Sequence, residues 1–343
     1  MLIQLTEDCT HEELEKITAL AEKAGFKTSK VDTHNASYII CSGKGEFDPR
    51  RIGTLKGVKD VHMVEDENKL VSRLWRVNDT ELDLGDGAVI SRDNLTVAMG
   101  PCSIESEEQV QKTVDFLLKN QVKIMRGGIF KPRSSPYSFR GMGIGGLEIF
   151  ARHCREKGIK IVSEVMQVSQ IEPMYDLVDI FQVGTRNAQN FNLLDALGKT
   201  DKPVLLKRGM SSTINEFLAS AEYIFSSGNE RIILCERGIR TFEKAYRNTL
   251  DLNAIPLLKE KSHLPVFCDP SHGVGVRRFV EPMALASVMA GADGLLMEIG
   301  EVPEKATSDA QQTLSFEEAR QALFKMNKTF ELKKELSFKF LSE

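Results

Sequence analysis

Four residues that bind divalent metals well, Cys102, His272, Glu298 and Asp309, each follow a short apolar run or lie in the last long loop of the chain. One thiolate, one imidazole and two carboxylates suit a borderline divalent ion such as Mn²⁺, Fe²⁺, Co²⁺ or Zn²⁺. Four such ligands leave a coordination position open for a substrate. Six cations take similar places: Arg126, Lys131, Arg133, Arg186, Lys207 and Arg237. Gathered at one site, they would repel one another unless anions lay between them. Arginine forks suit phosphate and carboxylate, and six positive charges exceed what one monoanion needs, so they fit two phosphorylated substrates. Lys131-Pro132-Arg133-Ser134-Ser135-Pro136 is stiffened by its prolines, and Arg133 with Ser134 offers a phosphate both charge and hydroxyl. The glycines that follow, Gly141, Gly143, Gly145 and Gly146, do not read as a nucleotide loop, because no strand immediately precedes them. Taken singly, each residue has a plainer reading: a cysteine after a strand is more often core, a histidine can cap a helix, and a lone cation is usually a solvated charge. The chemistry rests on the combination.

The elements that must position these residues repeat. Thr96–Met99 runs into Cys102, Val122–Met125 into Arg126, Lys160–Ser163 into Glu164, and Asp179–Gln182 into Arg186. Pro203–Leu206 runs into Lys207, Arg231–Leu234 into Glu236 and Arg237, Pro265–Cys268 into Asp269 and His272, and Asp293–Met297 into Glu298. Helical segments lie between them, such as Ser106–Asn120 with Ser106 as cap. Strand–helix alternation implies a parallel sheet. Eight units, each with its polar group on the C-terminal side, imply an α/β fold closed into a (β/α)₈ barrel, which gathers its site at that end.

The 343 residues exceed a typical barrel of roughly 250 by about one small domain. Residues 1–65 read as βαββαβ, a ferredoxin-like module. Thr10 and Glu13 form a capping box, and Asp48 is expected to cap a second helix with Pro49 at its first position. Residues 66–84 are expected as a linker, and 85–343 as the barrel with an N-terminal hairpin turning at Asp86-Gly87 and a C-terminal helix. The hairpin should plug the N-terminal mouth.

A net charge of −4 gives no reason to expect a nucleic-acid partner. No stretch nears the roughly 20 apolar residues of a membrane span, and the N-terminus lacks the features of a secretory signal. Six dispersed cysteines without a CxxC pair imply reduced thiols in the cytoplasm.

Gly100-Pro101-Cys102-Ser103-Ile104-Glu105-Ser106, Lys131-Pro132-Arg133-Ser134-Ser135-Pro136-Tyr137-Ser138-Phe139, Gly184-Thr185-Arg186-Asn187 and Asp269-Pro270-Ser271-His272-Gly273 together resemble the 3-deoxy-D-arabino-heptulosonate 7-phosphate (DAHP) synthase family. Arg237-Gly238-Ile239-Arg240-Thr241 and Pro303-Glu304-Lys305-Ala306 carry the same resemblance, which spans about residues 85 to 320. The likeness is to the short type I-beta form, the branch shared with 3-deoxy-octulosonate 8-phosphate synthase, with a ferredoxin-like regulatory domain in front. It implies condensation of phosphoenolpyruvate with erythrose 4-phosphate at the entry to aromatic biosynthesis. It also implies a divalent metal, Mn²⁺ ahead of Fe²⁺, Co²⁺ or Zn²⁺, on Cys102, His272, Glu298 and Asp309, acting as a Lewis acid on the aldehyde. Arg126, Lys131, Arg186, Lys207 and Arg237 match the phosphoenolpyruvate cradle, and Arg133 with Ser134 the clamp on the aldose phosphate. Lys131 is the expected proton donor to the new alkoxide, and Glu164 or Asp269 the group that orients water. Family analogy adds a homotetramer and feedback by phenylalanine or tyrosine through residues 1–65.

The chain departs from the family pattern in places. Ser134 stands where threonine is usual, Thr185 where alanine is usual, and Ile299-Gly300-Glu301-Val302 replaces a Val-His-Pro stretch on the way to Asp309. The Gly141–Gly146 stretch lacks an acidic pair common there. The nearest rival is the octulosonate synthase, which uses arabinose 5-phosphate. Its loop reads Ala-Asn-Arg-Ser-Ser, so Lys131-Pro132-Arg133 favours the four-carbon aldose. A catalytically silent barrel that senses an aromatic amino acid is the alternative from another class; the intact metal and cation sets argue against it.

Overall fold

The computed structural model describes residues 1–43, 48–130, 137 and 141–336. The expected apolar runs all become parallel strands. These are β7 (Thr96–Gly100), β8 (Ile124–Arg126), β9 (Lys160–Val165), β10 (Ile180–Val183), β11 (Val204–Lys207), β12 (Ile232–Glu236), β13 (Val266–Cys268) and β14 (Gly294–Gly300). Each pairs with its neighbour in sequence, and β14 pairs with β7, closing the barrel. Short strands buried on both faces need almost continuous apolar residues, which is why the runs were legible. Helices α3 (Glu107–Lys119), α4 (Gly143–Arg155), α5 (Ile171–Tyr175), α6 (Phe191–Gly198), α7 (Ile214–Ser226), α8 (Ala254–Lys261) and α10 (Arg277–Met289) cover the outside. A short α9 (Pro270–Val274), the edge strand β15 (Leu314–Ser315) and the terminal helix α11 (Phe316–Glu335) complete it. Helix α10 carries Pro282 inside it.

The barrel interior is filled by Ala98, Ile124, Val162, Ile180, Leu205, Ile233, Phe267 and Leu296. The hairpin of β5 (Leu82–Asp83) and β6 (Val89–Ile90) adds Leu82 and Ile90 to that cluster. Its backbone meets the starts of the strands: Thr96 Oγ1 donates to Val89 O, and an Arg231 nitrogen to Asp83 O. The plug therefore sits at the N-terminal mouth, opposite the site. Asp86 adopts φ 53° between Gly85 and Gly87, both also at positive φ, the turn geometry those residues tolerate.

The front sheet has β1 (Leu2–Leu5), β2 (Lys27–Asp32), β3 (Ser37–Ser42) and β4 (Val58–His62) in the order β2-β3-β1-β4, antiparallel throughout. With α1 (His11–Lys23) and α2 (Arg50–Gly53), this is the ferredoxin-like arrangement. The Thr10–Glu13 capping box forms. The second cap differs from expectation: Pro49 occupies the N-cap, and Asp48 Oδ1 accepts from Arg50 N at 3.1 Å instead. A four-residue helix starting one residue later leaves Asp48 a two-residue turn bond rather than a helical one.

Residues 66–80, most of the expected linker, pack against the base of the barrel. The half-buried Glu222 carboxylate on α7 accepts the amides of Lys69, Leu70 and Val71 at 2.9, 2.9 and 3.0 Å. Tyr38 of the front sheet stacks edge-on against Trp75 and Phe225. No helix among the described residues is long and apolar enough to cross a membrane.

Candidate active site

The ends of the barrel strands enclose a cavity of about 110 Å³ lined by Cys102, Arg126, Glu164, Arg186, Lys207, Arg237, His272 and Asp309, among others. The structure thus brings together most of the residues singled out from sequence. Lys131, Arg133 and Ser134 lie outside the described residues.

Cys102, His272, Glu298 and Asp309 each offer one ligand atom, and these atoms lie within 4.8 Å of one another. Cys102 Sγ is 3.1 Å from Asp309 Oδ2. His272 Nε2 is 3.3 Å from Glu298 Oε1 and 3.8 Å from Asp309 Oδ2. The imidazole is oriented from behind: Asp269 caps α9, accepting His272 N at 2.9 Å on Oδ1 and His272 Nδ1 at 2.7 Å on Oδ2. A carboxylate only accepts, so the proton sits on Nδ1 and the Nε2 lone pair faces the cluster. Burial raises the Asp269 carboxyl, but His272 and Lys207 outweigh it and hold the group well below the usual carboxylate range. Burial also lowers His272, against the opposing pull of Asp269 and Glu298. A soft thiolate, a neutral imidazole and two carboxylates converging in this way fit a divalent ion.

Of the two carboxylates expected near a water, Glu164 lines the cavity. It crosses over Gly184, where an added Cβ would lie 1.9 Å from Glu164 Oε1, so only glycine admits it. Asp269 is otherwise engaged, with both oxygens taken by His272 and one also by Lys207 Nζ.

Cations line the same cavity. Arg126 is buried; its Nη1 donates to Pro101 O at 2.6 Å and to Glu298 Oε1 at 3.1 Å, yet its Nε has no partner among the described residues. Arg237 is equally buried, one nitrogen donating to Gly238 O at 3.2 Å and its Nε likewise without a partner among the described residues. Burial lowers the pKa of Arg237, with Asp269 opposing. Arg186 stands exposed at the rim. Buried donors without acceptors are rare and costly, and two arginine Nε atoms in one cavity call for an anion.

Two residues escaped the sequence reading. Arg247 lines the cavity, and Gln312, fully buried, donates to Glu298 Oε2 at 2.6 Å. Both stand in loops, away from any strand end, so the signal that found the others could not reach them.

The sequence profile of the DAHP synthetase I family matches residues 77–335. Phospho-2-dehydro-3-deoxyheptonate aldolase of Thermotoga maritima is 43% identical over 329 residues, covering 96% of this chain and 97% of that protein. The 2-dehydro-3-deoxyphosphooctonate aldolase of Syntrophobacter fumaroxidans is 32% identical over 259 residues, covering 70% of this chain and 88% of the other. Among solved structures, the T. maritima DAHP synthase superposes with a TM-score of 0.77 at 42% identity, covering 99% of both chains. A truncated form of it gives 0.72 at 44% identity, covering 80% of this chain and 98% of that one.

Proposed function

The chain belongs to the DAHP synthetase I family, and from that premise we propose how its own residues perform the family's reaction. That reaction condenses phosphoenolpyruvate with erythrose 4-phosphate and water, giving 3-deoxy-D-arabino-heptulosonate 7-phosphate and phosphate. The observation that carries the proposal is the pairing of one cluster of metal donors within 4.8 Å with two buried arginines whose Nε atoms lack acceptors among the described residues.

Arg126, Arg186, Lys207 and Arg237, with Lys131, hold the phosphate and carboxylate of phosphoenolpyruvate. Arg133 and Ser134 hold the aldose phosphate. Cys102, His272, Glu298 and Asp309 would hold a divalent ion, Mn²⁺ by preference, whose contribution when bound would be Lewis-acid polarisation of the aldehyde. With both substrates fixed, C3 of phosphoenolpyruvate bonds to the aldehyde carbon, and positive charge develops at C2. Glu164 orients the water that adds to C2, and Lys131 gives its proton to the new alkoxide. The C2–O bond then breaks and phosphate leaves. Fixing two charged substrates in register is a positioning contribution, and it explains why cations outnumber the needs of either one. Asp269 acts through His272 and Lys207, holding the imidazole proton on Nδ1 and fixing the position of the Lys207 ammonium.

Residues 1–65 form the regulatory domain in this reading, with phenylalanine or tyrosine as effector, residues 66–84 connect it, and residues 85–343 catalyse. The working unit is a cytoplasmic homotetramer.

The test is phosphate release from phosphoenolpyruvate with erythrose 4-phosphate or arabinose 5-phosphate, before and after chelation, with Mn²⁺ added back. Turnover of erythrose 4-phosphate alone, lost to chelator and restored by Mn²⁺, is expected. Turnover of arabinose 5-phosphate alone would overturn the substrate assignment, and activity indifferent to chelator would overturn the metal's role.

A further inference from the structure

Each carboxylate of the donor cluster has an inner and an outer oxygen. The inner ones, Glu298 Oε1 and Asp309 Oδ2, face His272 Nε2 at 3.3 and 3.8 Å. The outer ones are held from behind. Arg247 Nη1 donates to Asp309 Oδ1 at 2.9 Å and to Gln312 Oε1 at 2.9 Å. Gln312 Nε2 in turn donates to Glu298 Oε2 at 2.6 Å. The guanidinium can only donate and the carboxylate only accept, so the Gln312 amide has one permitted orientation. One arginine therefore fixes both carboxylates, one directly and one through a buried amide.

Arg247 is itself built into the frame. Its amide donates to Val274 O at 3.0 Å, at the end of the helix that carries His272. Asn248 Nδ2 donates to His272 O at 2.9 Å, and Thr249 pairs with Ile239 through two 2.9 Å backbone bonds, just beyond Arg237. Gly275, at φ 67°, leaves room for the stem, since a Cβ there would lie 2.4 Å from Arg247 Cβ. The loop being held needs holding: Asp309 has φ 55°, a conformation that costs a non-glycine residue about 1–3 kcal/mol unless its surroundings impose it.

We propose that Arg247, acting with Gln312, is a positioning residue for the metal centre: it ties the Asp309 loop to the His272 helix and turns one oxygen of each carboxylate toward the thiolate and imidazole. The proposal rests on the metal reading above and deepens it. It also accounts for how the altered 299–302 stretch can still deliver Asp309 to the site. The tie spans a loop with no regular structure of its own, and both bonds leave one guanidinium nitrogen, whose two N–H groups serve the two acceptors.

The test is Co²⁺ titration of the metal-stripped full chain, followed by the thiolate-to-cobalt absorption of Cys102 and the visible ligand-field bands. Substituting a residue that holds a metal ligand in place lowers metal affinity about 10- to 100-fold, and that loss, with changed ligand-field bands, is expected for Arg247→Ala. Arg247→Lys keeps the charge on a shorter side chain and should recover less than half of the loss on a logarithmic scale. Gln312→Met, close in shape, should shift the bands with a smaller affinity loss, which covers the case in which Arg247→Ala folds poorly. Unchanged Co²⁺ affinity and bands in well-folded variants, with only a higher KM for a substrate, would overturn the proposal and place Arg247 on the substrate. Failure of the unsubstituted chain to bind Co²⁺ would instead overturn the metal reading beneath it.

Discussion

The two ends of the barrel both bury charge, and they treat it in opposite ways. At the base, Arg73 is satisfied at every nitrogen: Nε donates to Lys259 O, Nη1 to Val77 O, and Nη2 to Ser262 O and Asp79. Lys259 meets both oxygens of Asp293 at 2.9 Å, and Asp293 also accepts Val266 N. His263 lies between Thr80 Oγ1 at 2.8 Å and Leu70 O at 2.9 Å. At the C-terminal face, Arg126 and Arg237 are buried as deeply, but their Nε atoms have no partner among the described residues. Buried ions whose partners come from the protein hold the fold together; buried ions with a valence to spare await a ligand. The same residue type, arginine, performs both tasks, and only the completeness of its hydrogen bonding tells them apart.

Substitutions should separate the two ends. Lys259→Met leaves Asp293 buried without its cation and should cost about 3–5 kcal/mol of stability. Denaturant unfolding would read that loss, while kcat per folded molecule should stay unchanged. Arg237→Met should do the reverse. Activity should fall about 10²- to 10³-fold, the usual cost of one electrostatic donor. Stability of the ligand-free chain should hold or rise, since burial works against this charge.

The base should also show a pH signature. Burial pushes His263 from an ordinary value near 6.5 down to about 3. Below about pH 6.5 the unfolded chain takes up a proton that the folded chain refuses, so stability falls as pH drops toward 3. The slope approaches about 1.4 kcal/mol per pH unit. Unfolding measured from pH 7 to 4 should show His263→Gln less stable at pH 7, with the gap narrowing as pH falls. The smallest effect belongs to neither end: Thr10→Ala removes the α1 cap, should cost about 1 kcal/mol, and should leave kcat unchanged in a steady-state assay.

The barrel was legible because each of its strands is a short apolar run ending in a polar group, and closure needs that order repeated. Cys102, His272 and Glu298 were legible for the same reason, since they follow such runs; Asp309 was legible from the family resemblance and its place in the last long loop. Arg247 and Gln312 were not: their loops carry no periodicity, and their work exists only once β14, α9 and the loop beyond β12 meet. Asp269 was read as a candidate to orient water because it opens a motif, but its place as helix cap turns both its oxygens onto neighbours. The junction between the front sheet and the barrel was also unreadable. Glu222 looks like a surface residue of a helix until three consecutive amides fold onto it. In each of these cases the partner is far away in sequence, and composition says nothing about which distant group arrives.

The central claim is that unpartnered buried arginines mark the ligand end and fully partnered charges the structural end. The most direct test is the thermal unfolding midpoint of the unsubstituted chain, Arg237→Met and Lys259→Met, each titrated with phosphoenolpyruvate. A ligand that binds only the folded state raises the midpoint in proportion to its affinity. The account predicts that Lys259→Met starts lower yet gains the same increment as the unsubstituted chain, whereas Arg237→Met starts level and gains almost none. Equal increments in all three proteins would contradict it.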